Sequence, residues 1–447
     1  MAQITVKRLP KDPGPAAWNA ILPPAPAARP LSGPAEADFI VIGAGFAGLA
    51  AARRLTQLSP TARVVVLEAR RVAEGPAGRN SGFMIDLPHD LSSDDYGGDV
   101  TSDRDTILAN RAAIDFAASM AADFGLTSEA FVRSGKINAA VSARGLQHNA
   151  DFGRHLSTLG EPHEFLDPVA MQQVTGIPYY RGGLVTPGCA MIQPALFVRG
   201  VAAGLQSDRL RLCEESPVTG LSREAGKWQA VTPNGTVTAP KAILAVNGHA
   251  NSFGFFKGRL MHVFTYASMT RALTEQEVAR LGGQRIWGLT PADPMGSTVR
   301  RISGTGGDRI VVRNRFTYDP SLEVSDARIA RVARDHDRSF AARFPMLNGV
   351  EMEYRWGGRL CLSRNNVPAF GEVAEGLFSA CCQNGLGTAK GTLSGMLAAE
   401  AALGRQNALL DQIRAQPAPD RLPPEPLSWL GANAALRYRE LRAGAEL

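Results

Sequence analysis

The chain has 447 residues, more than one compact hydrophobic core usually holds, so two domains are expected. Hydrophobic residues make up 45% and charged residues 20%, as in soluble globular proteins. The net charge is only +6, and no basic run is interleaved with aromatic residues, which argues against a nucleic-acid-binding protein. Because no apolar stretch reaches about 18 residues, we expect no membrane span.

The five cysteines lack the paired spacing of a disulfide framework, and the N-terminus lacks the apolar core of a secretory signal. We therefore predict a protein of the reducing cytoplasm. The histidines, among them His89, His249 and His262, show none of the spacings typical of metal sites, so no metal is predicted.

The predicted elements begin after an arm rich in proline and alanine, residues 1–37, which we expect to lie extended on the surface with Trp18 anchoring it. Residues 39–42 are wholly apolar, as in a strand buried on both faces. A glycine-rich turn and a helix-forming segment follow. A second apolar strand, residues 64–67, ends at Glu68, which completes one strand–helix–strand unit.

Further along the chain, an apolar strand followed by glycine recurs near residues 242 and 377. One nucleotide-binding sheet, interrupted by an inserted domain rich in hairpins, would produce this order. The other elements predicted are a helix at 103–124, a hairpin at 227–240, strands at 242–246 and 377–380, a hairpin at 298–316 and a helix at 388–403.

The strongest motif is the sequence Gly-Ala-Gly-Phe-Ala-Gly at residues 43–48, which lies between the first strand and the first helix. In such a motif Gly43 permits the tight turn, Gly45 lets a pyrophosphate approach the backbone, and Gly48 lets the helix pack closely on the strand. Glu68, 20 residues beyond Gly48, is placed to accept hydrogen bonds from ribose hydroxyls. The motif therefore predicts dinucleotide binding; the alternative is a close helix–strand crossing without a ligand.

The segment after Glu68 separates FAD from NAD. Residues 78–83, Gly-Arg-Asn-Ser-Gly-Phe, resemble the S-G-R-N-G-G loop of the D-amino-acid oxidase / sarcosine oxidase / glycine oxidase superfamily of FAD-dependent amine oxidoreductases. The N-terminal arm and the C-terminal PPEPL region resemble its γ-glutamylputrescine oxidase-like branch. Leu386 and Asn366 depart from the family pattern, which has His and Asp there. Further resemblance is carried by residues 182–194, 245–248, 356–371 and 385–387.

The resemblance implies a fold of the α/β and α+β classes, in which a discontinuous, Rossmann-like FAD-binding domain carries an inserted substrate domain on a mixed or antiparallel sheet. The implied boundaries are 38–130, 190–255 and 345–405 for the FAD-binding domain, 131–189 and 256–344 for the substrate domain, and 406–447 for a C-terminal arm. Within that arm, the proline-rich stretch 417–429 is expected to be extended.

The resemblance also implies the residues that contact FAD. In addition to the motif and Glu68, it points to the loop at 78–82 and to the glycine-rich turn before the last helix. The predicted set is Gly43, Ala44, Gly45, Phe46, Ala47, Gly48, Glu68, Ala69, Arg70, Gly78, Arg79, Asn80, Ser81, Gly82, Val218, Ala245, Asn247, Gly248, Gly385, Leu386, Gly387, Thr388, Ala389 and Lys390.

Several side chains have an alternative structural role. Lys390 is placed to stabilise a reduced flavin, or it extends to solvent. Arg79 is placed to contact the cofactor, or it is an ordinary loop arginine. Cys361, Cys381 and Cys382 raise the question of covalent flavin attachment, although buried structural thiols are the preferred interpretation. One arginine of Arg300, Arg301, Arg313, Arg315 and Arg364 is a candidate clamp for a substrate carboxylate.

For the reaction, the resemblance implies hydride transfer from a substrate C–H next to nitrogen to flavin N5. The imine formed then hydrolyses, and oxygen or another acceptor takes up the electrons. Substrate contacts are predicted for Phe83, Met84, Tyr266 and Trp356, and the substrate is predicted to be an amine or amino acid. Alternatives are a flavin-dependent monooxygenase, an NAD dehydrogenase and a non-catalytic flavoprotein subunit; the oligomeric state is not predicted.

Overall fold

The computed structural model describes residues 3–88 and 96–447. The strands are β1 (Ile4–Thr5), β2 (Ala35–Glu36), β3 (Phe39–Ile42), β4 (Val64–Leu67), β5 (Phe83–Met84), β6 (Phe131–Arg133), β7 (Lys136–Ala140), β8 (Glu164–Leu166), β9 (Gly182–Thr186), β10 (Ala190–Ile192), β11 (Leu210–Cys213), β12 (Gly220–Glu224), β13 (Lys227–Thr232), β14 (Gly235–Ala239), β15 (Lys241–Leu244), β16 (Met261–Thr270), β17 (Trp287–Pro291), β18 (Thr298–Ile302), β19 (Arg309–Tyr318), β20 (Met352–Leu362), β21 (Ala369–Ala374) and β22 (Leu377–Cys381). The helices are α1 (Ala17–Ala20), α2 (Phe46–Leu58), α3 (Val100–Asp123), α4 (Ala143–Leu159), α5 (Pro168–Thr175), α6 (Pro194–Leu205), α7 (Glu275–Leu281), α8 (Asp326–Arg343), α9 (Ala389–Ala402), α10 (Ala408–Ala415) and α11 (Leu427–Ala443).

A six-stranded sheet with the order β11-β4-β3-β15-β22-β21 forms the first layer. It is parallel except for the edge strand β21, which is antiparallel to β22. Every residue of β3 and β4 is buried, as their apolar runs predicted. Ile42 is in register with Leu67 on one side and with Leu244 on the other, so these three strands end at the same edge of the sheet.

Helices α2 and α9 both begin at this carboxyl edge. They pack so closely that a Cβ atom on Gly395 would lie 1.9 Å from the carbonyl oxygen of Ala47. Since α2 follows β3 and α9 follows β22, the N-terminal ends of two helices lie at one edge of the parallel sheet.

An eight-stranded sheet with the order β20-β16-β19-β18-β17-β7-β9-β8 forms the second layer. It is mixed, because β17 and β7 run parallel whereas the other neighbours are antiparallel. The prediction of a second, mixed sheet is therefore confirmed. The boundary at 345 that the resemblance implied assigns β20 to the FAD-binding domain, but β20 pairs with β16 along almost its whole length and therefore belongs to this sheet.

The N-terminal arm is fixed to the body at several points. β1 pairs with β12 and β2 with β14, which places both in a separate five-stranded sheet of order β1-β12-β13-β14-β2. Trp18 is fully buried, and its Nε1 donates to the carbonyl oxygen of Asn80 over 2.8 Å. The predicted anchoring by Trp18 is thus confirmed.

The C-terminal arm, residues 406–447, contains the helices α10 and α11. The proline-rich stretch predicted to be extended, residues 417–429, has no helix or strand up to residue 426, and α11 begins at Leu427. Within the described ranges, no helix combines the length and apolar composition that a bilayer crossing requires.

Candidate active site

A cavity extends from the carboxyl edge of the parallel sheet to the inner face of the eight-stranded sheet. On the first side it is lined by the turn after β3, the end of β4 and the turn before α9. On the second side it is lined by residues of β17, β18, β19 and β20, among them Thr290, Thr298, Arg313 and Leu360. Any ligand that fills it therefore contacts both layers.

The glycine-rich turn after β3 has the geometry that a dinucleotide requires. Gly43 has φ of +104°, a backbone conformation that favours glycine. A Cβ atom on Gly48 would lie 1.8 Å from the Gly43 carbonyl oxygen, so only glycine permits this crossing of helix and strand. A Cβ atom on Gly45 would instead have Ala77 Cβ, at 3.6 Å, as its nearest neighbour. The backbone at Gly45 is thus open to a phosphate.

Two helix N-termini face this cavity without a capping side chain. Gly45 occupies the N-cap position of α2 and has no side chain. Thr388 occupies the N-cap position of α9, and its side chain accepts no hydrogen bond from the first turn of that helix. Thr388 Oγ1 instead donates to the Phe83 carbonyl oxygen over 2.6 Å. The free N–H groups and the helix dipoles favour negative charge here, such as that of a pyrophosphate.

Glu68 ends β4 at the cavity wall. Its carboxylate accepts hydrogen bonds from the backbone N–H groups of Ala44, over 2.8 Å, and of Arg70, over 3.1 Å. Burial raises the pKa of Glu68, against the lowering effect of these hydrogen bonds. The carboxylate braces the glycine-rich turn and has lone pairs left for ribose hydroxyls. The donor set therefore fits the adenosine half of FAD.

Most of the residues predicted to contact FAD do line the cavity, and these are Gly43, Ala44, Gly45, Phe46, Ala47, Glu68, Ala69, Arg70, Asn80, Ser81, Val218, Ala245, Asn247, Gly248, Gly385, Leu386, Gly387 and Thr388. Of the remainder, Gly48 and Gly78 serve close backbone packing, since a Cβ atom on Gly78 would lie 1.9 Å from the Ala73 carbonyl oxygen. Gly82 contacts Arg300. Ala389 and Lys390 lie in the first turn of α9 behind the cavity wall.

Arg79 has a different role from the predicted cofactor contact. Its guanidinium is buried and donates to the carbonyl oxygens of Glu74, Pro13 and Gly14, over 2.6, 2.9 and 2.9 Å. Burial lowers its pKa, and Asp12 opposes that effect. Arg79 therefore fastens the N-terminal arm to the loop after β4. The sequence suggested that Arg79 contacts the cofactor, because no motif indicated that residues 13 and 14 of the N-terminal arm lie beside this loop.

Arg313 is the arginine of the five candidates that lines the cavity. Its guanidinium lies 4.7 Å from the centre of the Phe316 ring, and no hydrogen bond or ion pair joins it to another described residue. Burial lowers its pKa to about 10. Arg313 thus presents an unpaired cation to the cavity.

The other candidate arginines are engaged elsewhere. Arg300 donates to the carbonyl oxygens of Ser81 and Ile192, over 3.0 and 2.8 Å. Arg301 donates to the Gly282 carbonyl oxygen over 2.5 Å, Arg315 pairs with Asp335 over 2.9 Å, and Arg364 is exposed.

Of the predicted substrate contacts, only Phe83 lines the cavity. Met84 and Trp356 belong to the main hydrophobic core, and Tyr266 is buried in a smaller cluster, with its hydroxyl 2.6 Å from Thr317 Oγ1. Alternation along β5 turns Met84 to the face opposite Phe83, whereas no residue of β16, the strand of Tyr266, lines the cavity. The sequence missed other wall residues, namely Ile85, Tyr96, Thr290, Pro291, Pro294 and Thr298.

The N-terminal arm also contributes to the wall, with Val6, Arg8, Leu9, Pro10 and Asp12. Arg359 donates to Asp12 Oδ1 over 2.8 Å and to His249 Nε2 over 2.6 Å. Burial, Arg359 and His262 together lower the pKa of His249 to about 3, so its ring is neutral at physiological pH. No sequence motif indicated this cluster.

Cys361 lines the cavity, whereas Cys381 and Cys382 are buried outside its wall. The neighbouring Cys382 and burial both raise the pKa of the Cys361 thiol, which disfavours the reactive thiolate. In the part of the chain that the structure describes, no group of three His, Cys, Asp or Glu side chains is arranged to hold a metal ion; His89 lies outside the described residues.

Comparison with known proteins agrees with this geometry. The family model "FAD dependent oxidoreductase" (DAO) matches residues 38–401. The gamma-glutamylputrescine oxidoreductase of Escherichia coli strain K12 is 26% identical over 383 residues, which cover 81% of this chain and 83% of the relative. The probable oxidoreductase OrdL of Haemophilus influenzae is 25% identical over 385 residues, or 84% and 85% of the two chains.

Solved structures show the same fold. Glycine oxidase from Geobacillus kaustophilus superposes with a TM-score of 0.69 at 17% identity, over 87% of this chain and all of that one. L-amino acid deaminase from Proteus vulgaris superposes with a TM-score of 0.66 at 15% identity, over 87% and 99% of the two chains. Because the family model spans most of the sequence and the cavity has the donors that the cofactor requires, this chain belongs to the family of FAD-dependent oxidoreductases.

Proposed function

We propose that this enzyme oxidises the C–N bond of an amine or amino acid that carries a carboxylate. FAD bound in the cavity supplies the two-electron acceptor for a hydride from the carbon next to nitrogen. The products are an imine, which hydrolyses to a carbonyl compound and an amine or ammonia, and, with oxygen as the final acceptor, hydrogen peroxide.

The observation that carries this proposal is the unpaired guanidinium of Arg313 in a mostly apolar wall. A half-buried cation without a partner in a mostly apolar wall is unfavourable, so such a group is best explained by an anion that arrives with the ligand. A guanidinium binds a carboxylate through two parallel hydrogen bonds, which fixes its orientation as well as its position. A carboxylate on Arg313 would hold the rest of the substrate inside the cavity.

The wall around Arg313 supports the oxidation of a carbon next to nitrogen. Phe83, Ile85 and Pro291 are apolar and exclude water from the reacting carbon. The hydroxyl of Tyr96 donates to the Pro291 carbonyl oxygen over 2.9 Å. Burial raises the pKa of Tyr96, which therefore stays protonated. The relatives named above include an oxidoreductase of gamma-glutamylputrescine and a glycine oxidase, so this class of substrate has precedent in the family.

The experiment is an anaerobic titration of the purified flavoprotein, followed by the visible flavin absorption. The panel pairs each amino acid, primary or N-methylated, with its carboxamide, which keeps the amine and removes the negative charge. We expect the amino acids to bleach the flavin and the carboxamides to do so poorly. Admission of air should restore the yellow colour with release of peroxide. A flavin band that no amine bleaches would reject the proposal.

A further inference from the structure

A buried polar cluster lies directly behind the cavity wall, on β7 and β17. Lys136 is 3% exposed, and its Nζ donates to Asn138 Oδ1 and lies 3.5 Å from Thr290 Oγ1. Thr290 Oγ1 in turn donates to Asn138 Oδ1 over 2.7 Å. Because Thr290 lines the cavity, Lys136 Nζ lies within 3.5 Å of a side chain of the same wall that Arg313 lines.

No described carboxylate forms an ion pair with Lys136. Asp86 lies near enough to act on its charge but is paired with Arg111, over 3.0 Å. Cys189, the other charged or titratable group that acts on it, is buried, and burial raises the pKa of that thiol to about 12. Burial lowers the pKa of Lys136 to about 8. The ammonium and the free amine of Lys136 are therefore both populated close to neutral pH.

The elements packed against β7 add no compensating charge. β17 contributes the hydroxyl of Thr290 and β9 that of Thr186, whose Oγ1 has no hydrogen-bond partner. On α4, His148 Nε2 lies 3.2 Å from Arg144 Nε, so this histidine is already engaged. An isolated, buried amine next to a ligand cavity is costly for a fold and has the properties required of a proton acceptor.

We propose that Lys136, acting through Thr290 Oγ1, takes up the ammonium proton of the bound substrate before the substrate C–N bond is oxidised. This inference rests on the proposed function, since an amine enters the cavity mainly as the ammonium ion, which has no lone pair to assist hydride loss. In the step, an N–H bond of the substrate breaks and its proton passes to Thr290 Oγ1. The Thr290 hydroxyl, which donates to Asn138 Oδ1 in the resting structure, turns to the free amine of Lys136 and passes its own proton to Nζ, so no proton is gained or lost.

When the product leaves and water enters the cavity, the proton passes from Lys136 Nζ through Thr290 Oγ1 to water, and the enzyme regains its free amine. Neutral Lys136 also lowers the positive charge near the bound ammonium ion, whereas charged Lys136 would add to the repulsion from Arg313. Lys136 does not contact the substrate, so it is a positioning and proton-holding group rather than a catalytic residue.

The first test measures the titration of Lys136 in the resting holoenzyme. The sequence contains seven lysines, so lysine labelled with ¹³C at Cε gives few NMR signals, and Lys136→Arg assigns the signal of interest. We expect this signal to titrate near pH 8. If Lys136 titrates instead at the pKa of a lysine in a model peptide, about 10.4, the inference is wrong, whatever the enzyme oxidises.

The second test uses variants that separate charge, proton uptake and packing. Thr290→Val removes the hydroxyl, and Thr290→Ser is the matched control that keeps it. Lys136→Arg keeps the positive charge but cannot accept a proton. The rate of anaerobic flavin bleaching by the best amino acid is measured from pH 6 to 10. We expect the wild type and Thr290→Ser to rise with pH up to a plateau above about pH 8.

For Thr290→Val and Lys136→Arg we expect bleaching at pH 7 to fall by about 100-fold, as for the loss of a general base. Their rates should recover at higher pH, where the amine loses its proton to solvent. Unchanged pH profiles in both variants would overturn the inference while leaving the proposed function intact. If no amine bleaches the wild type, the proposed function fails, and the proton-uptake role falls with it.

Discussion

Asp12 and Arg359 form an ion pair of 2.8 Å in which both side chains are almost completely buried, with exposed fractions of 0% and 5%. Asp12 belongs to the N-terminal arm and Arg359 to β20, so the pair fastens the arm across the cavity. The family model begins only at residue 38, so the arm lies outside the part of the chain that this model matches.

Replacement of Asp12 by Asn should destabilise the holoenzyme strongly. The variant leaves the Arg359 guanidinium buried without its counter-ion, and the loss of one partner of a buried pair costs about 3 to 5 kcal/mol. We expect a lower thermal midpoint and faster loss of FAD, because Asp12 and its neighbours line the cavity. Differential scanning calorimetry and the decay of bound flavin under dilution measure the two effects.

Glu323→Gln is a matched control for this prediction. Glu323 pairs with Lys11 of the same arm over 3.4 Å, but both side chains are exposed. Solvent screens such a pair, so its removal should leave the midpoint and the retention of FAD unchanged. Equal effects of the two substitutions would show that the burial of the Asp12 pair is unimportant.

The two glycines of the turn after β3 should respond differently to alanine. Gly48→Ala places its Cβ 1.8 Å from the Gly43 carbonyl oxygen, so we expect a loss of stability of about 2 kcal/mol or more. In Gly45→Ala, the Cβ has room in the protein and would occupy only the space that the pyrophosphate approaches. This variant should keep its unfolding midpoint without FAD but bind FAD much more weakly in a fluorescence titration. Similar behaviour of both variants would contradict the assignment of Gly45 to the cofactor.

Much of the FAD-binding layer could be predicted because short-range rules determine it. Strands buried on both faces leave uninterrupted apolar runs such as residues 39–42 and 64–67, and the glycine spacing between them follows from the tight turn. The helix at 100–123 and the hairpin around 306–307 were also predicted within a few residues. Local turn chemistry and hydrophobic periodicity suffice for such elements.

The substrate side could not be predicted, because its walls come from strands far apart in sequence. Whether Arg313 or Arg300 faces the cavity depends on the pairing of β18 with β19, which no local pattern encodes. The partners of Arg79 likewise come from residues 13 and 14, in an arm without a motif. Lys136 stood out in no motif, because its significance lies in its burial and in its distance to Thr290.

Arg313→Met should weaken the binding of carboxylate-bearing substrates selectively. Hydrogen bonds to a charged group contribute about 2 kcal/mol, which corresponds to a KM increase of roughly 30-fold. The carboxamide analogues make no ion pair, so their KM should hardly change. Arg313→Lys is the charge-preserving control, and we expect it to restore part of the affinity, because one ammonium group cannot make the bidentate contact. Equal losses for amino acids and carboxamides would remove Arg313 from the substrate site.

Buried histidines should make the protein less stable as the pH falls below about 6.5. Burial lowers the pKa of His336 to about 3, with a further contribution from Arg355, and it lowers the pKa of His262 to about 4. Since these pKa values lie below those of the unfolded chain, the unfolded state binds more protons between pH 6.5 and pH 4. The stability that the neutral rings provide is therefore complete above pH 6.5 and decreases below it.

His336→Gln isolates one of these contributions. His336 Nδ1 lies 2.7 Å from Ser268 Oγ, a contact that glutamine can replace in part. Each such histidine contributes up to about 1.4 kcal/mol per pH unit, so between pH 7 and pH 5 the wild type should lose about 2 kcal/mol more than the variant. Urea unfolding at the two pH values measures this difference directly, because the titration of all other groups cancels in the comparison. Parallel pH dependences of the two proteins would mean that the pKa of His336 is the same in the folded and unfolded states.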